Sequence, residues 1–269
     1  MSTSAPAPAS KGKLYLVPVP LDHGCEQLSP VDDVLPLGTL KQAAGLLHWI
    51  CENAKSTRAF LKRVDALVPL AQPIQSMQIT ELPREVHKKG DHAGAGKAHF
   101  DARPLLAPAL DGKDIGLASE AGMPGVADPG SSIARAAHEL AIEVVPLVGP
   151  VSILLALAAS GLNGQNFAFV GYLPQDTAAR AQRIRELETL SRKTGQTQLF
   201  IETPYRNRAL FQALLETLRE DTRLTLACGL TLPGAAARTL AVGQWKRGSA
   251  SAWNADEAMK LPCVFAVGT

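Results

Sequence analysis

Short apolar runs recur along this 269-residue chain with amphipathic stretches between them, and no other feature constrains its fold so much. A strand covered on both faces reads as a continuous apolar run. Alternation of such runs with helical periodicity calls for a mostly parallel sheet flanked by helices. In the first half the strand-like runs are residues 14–19, 48–51, a weaker one around 74–79, then 114–118 and 143–147. Helical periodicity is read at residues 56–68, 103–110 and 132–141. For the last of these, Asp128 or Ser131 suits an N-cap and Pro129 a first helical turn.

A second series begins after Gly149-Pro150. Residues 151–160 read as a helix, 167–171 as a strand, 177–193 as a charged helix and 198–202 as a strand. Residues 207–219 form an amphipathic helix with Leu210, Phe211, Leu214, Leu215 and Leu218 on one side. Residues 223–230, 238–242 and 264–267 are strands with little helix between them, which predicts a mixed sheet. The expected class is therefore α/β: two α/β domains with mostly parallel sheets flanked by helices, the second sheet mixed. The domains are placed at 12–149 and 150–269, behind a disordered Ser/Ala/Pro-rich tail at 1–11.

Composition narrows the function classes. A formal net charge of +2 is too small to mark the whole chain as a nucleic-acid binder, so RNA contact needs local clusters. One such cluster holds Arg84, His87, Lys88, Lys89, His92 and Lys97, among glycines, and reads as a loop over a cleft mouth or a solvated insertion. The four cysteines, Cys25, Cys51, Cys228 and Cys263, make no Cys-x-x-Cys pair. They are expected to be reduced thiols, with neither a zinc site nor a disulfide framework. The start lacks the apolar run of a signal peptide, and the longest apolar stretch, near 153–159, is too short for a bilayer. A soluble, cytoplasmic protein is expected.

In open α/β sheets ligands sit beyond the carboxyl ends of the strands. After the strand at 114–118 comes Ser119-Glu120-Ala121-Gly122-Met123-Pro124-Gly125-Val126-Ala127-Asp128-Pro129-Gly130. Its glycines and prolines favour a fixed backbone that a ligand can approach closely, or a tight structural turn. It is neither a Gly-x-Gly-x-x-Gly loop nor a P-loop.

This segment, followed by residues 144–150 ending in Gly149-Pro150, resembles the central signature of the ribosomal RNA small subunit methyltransferase I family of the tetrapyrrole-methylase superfamily. In that pattern an Asp-Ala-Gly-Thr-Pro stretch runs on to Ser-Asp-Pro-Gly, and a strand then ends in Pro-Gly-Pro. Ala121, Gly122, Pro124 and Asp128-Pro129-Gly130 match, while Glu120 and Met123 replace Asp and Thr. The resemblance continues in order through Leu14-Tyr15-Leu16-Val17 with Pro20, and through Glu52 with Thr57-Arg58. Further on it takes in residues 158–162, Gly171-Tyr172-Leu173-Pro174 and Phe200-Ile201-Glu202-Thr203-Pro204-Tyr205-Arg206. It weakens at Cys228-Gly229-Leu230-Thr231-Leu232-Pro233, which keeps only the Leu-Thr of an Arg-Glu-Leu-Thr-Lys stretch. A His-Asn-Glu stretch has no counterpart between Ile79 and Arg103.

The resemblance implies S-adenosylmethionine held in an interdomain cleft of a homodimer. Cofactor contacts are then expected from Pro18, Pro20, Ser119, Glu120, Ala121, Gly122, Met123, Val126, Val151, Ser152, Leu230, Thr231 and Leu232. Helix-start packing is the other role open to Val151 and Ser152. The catalytic candidates are Glu202, Arg206 and Glu52, at or just past strand ends, with a capping or ion-pair role as the alternative. The implied reaction is 2′-O-methylation of ribosomal RNA, in contact with the small ribosomal subunit. The other readings are methylation of a small molecule such as a tetrapyrrole, and a non-catalytic relative that binds the cofactor.

Overall fold

A computed structural model describes residues 10–83, 100–248 and 254–269. Most of the N-terminal tail and the basic cluster at 84–97 lie outside the described residues. The chain divides into two units, Met1–Pro20 with Pro30–Pro150, and Leu21–Ser29 with Val151–Thr269.

The first unit holds five strands, β1 (Leu14–Leu16), β2 (His48–Cys51), β3 (Gln78–Glu81), β4 (Ile115–Ala118) and β5 (Val144–Pro146). They form one sheet in the order β3-β2-β4-β1-β5, every pair parallel. Alternate side chains of each strand serve opposite faces. Trp49 packs with Leu40, Phe60, Leu61 and Val64 from helices α2 (Leu37–Gly45) and α3 (Ala54–Asp65), which follow the short α1 (Val31–Val34). Ile50, its neighbour in β2, packs on the other face with Ile115, Leu117, Ala109 and Ile133, the last two from α4 (Ala107–Leu110) and α5 (Ser131–Glu139). Burial on both faces is why β2 and β4 read as unbroken apolar runs, whereas the edge strand β3 is mostly exposed.

Two local expectations are corrected. The strand expected at 74–79 starts later, because Pro73 leads Ile74–Ser76 into a 3-10 turn and pairing begins only at Gln78. Neither Asp128 nor Ser131 caps α5. Gly130 occupies the N-cap at φ +135°, with no side-chain bond.

The second unit contains α6 (Ser152–Ser160), β6 (Phe167–Tyr172), α7 (Thr177–Thr194), β7 (Thr197–Glu202), α8 (Pro204–Thr217), β8 (Arg223–Cys228), β9 (Ala236–Ala241), α9 (Val242–Lys246), α10 (Ala255–Ala258) and β10 (Cys263–Gly268). Its sheet runs β6-β7-β10-β8-β9, with β6 parallel to β7 and the remaining pairs antiparallel. One face carries α7 and α8, whose Ile184, Leu187, Leu210 and Leu214 meet Phe200, Phe265 and Leu226. Phe200 and Phe265 sit opposite each other in the β7–β10 register with stacked rings 5.9 Å apart. The other face is covered by α6 through Ile153, Ala156 and Leu157. Among the described residues no helix is long and apolar enough to cross a membrane.

The cysteine reading is also corrected. Cys228 and Cys263 are opposite partners on β8 and β10, their Cα atoms 4.2 Å apart, and they form a disulfide. Their separation of 35 residues hides a contact that only sheet register creates. Cys25 and Cys51 remain free thiols.

Candidate functional site

Cys51 stands opposite Ala118 in the β2–β4 register, so the residues after each strand emerge side by side at the carboxyl edge of the sheet. Glu52 follows β2, and Ser119 and Glu120 follow β4. The backbone N–H of Glu120 donates to Glu52 Oε2 at 2.8 Å, and Asn53 Nδ2 donates to Glu120 Oε1 at 2.9 Å. Asn53 serves twice, because its Oδ1 accepts from the N–H groups of Lys55 (2.9 Å) and Ser56 (3.3 Å) and caps α3. A cap of this kind is worth about 1 kcal/mol. Glu52, a catalytic candidate in the sequence, thus braces the loop after β4.

Gly122 and Val19 exchange two backbone hydrogen bonds, both 3.0 Å, with Gly122 at φ +75° and the buried Pro18 and Pro20 on either side of Val19. Beyond Gly122 the loop folds on itself. Val126 N–H donates to the Met123 carbonyl and Gly125 N–H to the Pro129 carbonyl, each at 3.2 Å. At Gly130 a Cβ would stand 3.1 Å from both Gly125 N and Leu117 Cδ2, a tight fit, and φ +135° itself favours glycine there. Ser119, Ala121 and Gly122 are buried, Met123 is half-buried, and Glu120 and Val126 are exposed. Pro18, Pro20, Ser119, Glu120, Ala121, Gly122, Met123, Val126 and Glu52 therefore gather at one edge of the first sheet.

The sequence offers Asp128, or else Ser131, as a helix cap and gives no sign of the charge environment of Asp128. Burial, and after it the negative charge of Glu52, pushes the Asp128 carboxyl up to about 7; a hydrogen bond with Ser119 opposes this and Glu120 adds a smaller push. An aspartate whose folded pKa lies above its unfolded value weakens the fold as pH rises from about 4 to 7, where the unfolded chain binds fewer protons. The full rise from 3.8 to about 7 corresponds to about 4 kcal/mol at 1.36 kcal/mol per unit, and local relaxation reduces what is measured to about 2 kcal/mol. Asp128→Asn should therefore match the parent near pH 4 and become more stable by about 2 kcal/mol above pH 7. Denaturant melts at the two pH values measure this, and a pH-independent difference would contradict the charge environment.

In the second unit the turn at residues 229–232 rests on left-handed backbone, Gly229 at φ +59° and Thr231 at φ +70°. Leu232 N–H donates to the Gly229 carbonyl at 2.7 Å, and Ser29 Oγ donates to the Thr231 carbonyl at 2.5 Å. Gly229 N–H also reaches the Pro262 carbonyl at 2.9 Å, beside the disulfide. Buried Asn207 secures the same neighbourhood, its Nδ2 donating to the carbonyls of Met259 and Leu261 at 3.0 Å each. Nothing in the sequence separates that clamp from an ordinary helix-surface asparagine. Leu230 packs on the cluster that Val151 also touches, and Ser152 opens α6 without a side-chain cap.

Glu202 and Arg206 meet. Glu202 Oε1 accepts from Arg206 Nε (2.9 Å) and Nη2 (2.7 Å), from Thr203 N–H (2.8 Å) and from Thr203 Oγ1 (3.3 Å). The Glu202 side chain is 5% exposed and that of Arg206 30%. The carboxylate raises the guanidinium pKa. Glu202 is opposite Cys263, which is opposite Cys228, so the pair and the turn at 229–232 share one edge of the second sheet. The geometry suits Glu202 to anchoring Arg206 and the first turn of α8.

A family model described as "Tetrapyrrole (Corrin/Porphyrin) Methylases" matches residues 42–242. The Ribosomal RNA small subunit methyltransferase I of Vibrio cholerae is 36% identical over 130 residues, which is 48% of this chain and 44% of that protein. Its namesake from Escherichia coli O157:H7 is 30% identical over 222 residues, 82% of this chain and 66% of that protein. The chain thus spans less than two thirds of either relative's length. Among solved structures, the methyltransferase CobJ superposes with a TM-score of 0.55 at 16% identity, covering 96% of this chain and 94% of that one. At such identity the likeness concerns the fold alone.

Proposed function

The chain belongs to the tetrapyrrole methylase family, and from that premise we propose that it transfers a methyl group from S-adenosylmethionine to a ribose 2′-hydroxyl of ribosomal RNA. The observation that carries the proposal is the loop at residues 119–130, a close-approach backbone at a strand's carboxyl end edged by Glu52, Glu120 and Asp128. The cofactor, when bound, supplies an electrophilic methyl carbon on a cationic sulfur. Carboxyl groups beside such a cation favour it, and Gly122 adds no side chain between the loop backbone and a ligand. Pro18, Pro20, Ser119, Glu120, Ala121, Gly122, Met123 and Val126 are the proposed contacts in the first unit. Val151, Ser152, Leu230, Thr231 and Leu232 are those in the second.

The chain's part in the chemistry is position and charge. The Glu202–Arg206 pair holds a guanidinium in a fixed attitude at the second sheet's edge, where it orients the acceptor. Glu52 acts through the loop it braces. We take the working form to be a homodimer in the cytoplasm, with the small ribosomal subunit as partner.

The proposal is tested by titrating the purified chain with S-adenosylmethionine in a calorimeter. Labelled-methyl transfer is then followed to small ribosomal subunits from cells lacking this gene, and separately to a tetrapyrrole. Micromolar binding and label on a ribose are the expected result. Absence of binding at millimolar cofactor, in folded protein, would defeat it, and label on the tetrapyrrole alone would replace the acceptor.

A further inference from the structure

The chain has three tyrosines, and two of them stand exposed at one end of adjacent strands. Tyr172 is 57% exposed and Tyr205 80%, the latter more than any other large apolar side chain described. One exposed ring is ordinary, but two exposed rings beside a held guanidinium make a surface on which a flat ligand can stack. Tyr172 ends β6 just after Gly171 at φ +73°, where the β6–β7 register shifts, and register places it beside Ile201. Such irregularities re-aim a side chain that regular pairing would hold elsewhere. Tyr205 lies in the first turn of α8, and the Arg206 guanidinium sits 5.3 Å from its ring centroid. That guanidinium is held by Glu202, and both tyrosines act on it electrostatically.

We propose that Tyr172, Tyr205 and Arg206 form a platform on which an unstacked base of single-stranded RNA rests, beside the nucleotide to be methylated. This rests on the RNA reading above. The local charge favours a neutral heterocycle over a polyanionic macrocycle: Arg206 is paired with Glu202, and Arg208 lies 3.4 Å from Asp256. Aromatic rings and guanidinium planes accept any base face, so the contact is tolerant of sequence, and stacking on the tyrosines neutralises no phosphate and adds nothing to the salt slope.

The experiment is anisotropy with a labelled single-stranded RNA of mixed sequence and the full chain. Tyr205→Ala and Tyr172→Ala should each weaken binding by about tenfold, and together by about a hundredfold. Tyr205→Phe and Tyr172→Phe should bind within about twofold of the parent. The salt slope and the S-adenosylmethionine affinity should not change. Parent-like RNA affinity in both alanine variants overturns the platform while leaving the RNA reading standing. So does a change in sedimentation with RNA affinity intact, which assigns the tyrosines to a protein contact. A parent protein that binds no RNA but methylates a tetrapyrrole removes the reading and the platform with it.

Discussion

Gly122→Val should lower S-adenosylmethionine affinity by at least about 100-fold, equivalent to about 2.7 kcal/mol, while both units stay folded. At φ +75° a β-branched residue is strained, and its bulk is added to the backbone stretch proposed to approach the ligand. The strain itself costs about 1–2 kcal/mol, within the margin of a folded domain. Gly161→Ala provides the control, since Gly161 has φ +67° with nothing within 4 Å of an added Cβ. That variant should lose a similar stability and no affinity. Unchanged binding by Gly122→Val moves the cofactor away from this loop. Should the valine variant fail to fold, Gly122→Ala asks the same question with less strain.

The second large effect concerns the disulfide. Linking residues 35 apart removes loop entropy from the unfolded chain worth about 3–4 kcal/mol in the chain-entropy model. The oxidised protein should therefore melt about 10 °C above the reduced one. In denaturant without reductant, two thiols should react, Cys25 and Cys51, and not four. Four reactive thiols with identical melts would show the pair unlinked in solution. Reduction is the cleaner comparison, because Cys228→Ala and Cys263→Ala also remove buried sulfur atoms and leave cavities.

The strand-and-helix alternation was legible because burial on both faces leaves a simple apolar record, as at Trp49 and Ile50. Helix α2 escaped notice, since Pro36 and Gly38 flank its start and a buried Thr39 interrupts the apolar stripe. The glycine-rich loop was visible in one stretch of sequence. The neighbourhood of Glu52, Glu120 and Asp128 was not, because it follows from two parallel strands lying in register. Sheet register hid the Cys228–Cys263 contact in the same way. Glu202 and Arg206 were legible as candidates past a strand's end with an ion-pair role open to them, but their bonding pattern depends on how deeply the carboxylate is buried.

Strand order also bears on when the protein acquires its shape during synthesis. The centre of the second sheet is β10, the last of its strands to leave the ribosome, and until it arrives β7 and β8 have no common neighbour. The same unit recruits Leu21–Ser29, made before any of its strands, through a bond from Ser29 to Thr231 across 202 residues. The first sheet is complete in sequence by Pro146 and can form while translation continues. The second cannot, and its nascent strands remain exposed to chaperones and to mispairing until residues 263–268 emerge. A ribosome stalled just before that point would carry one finished sheet and one with its central slot open.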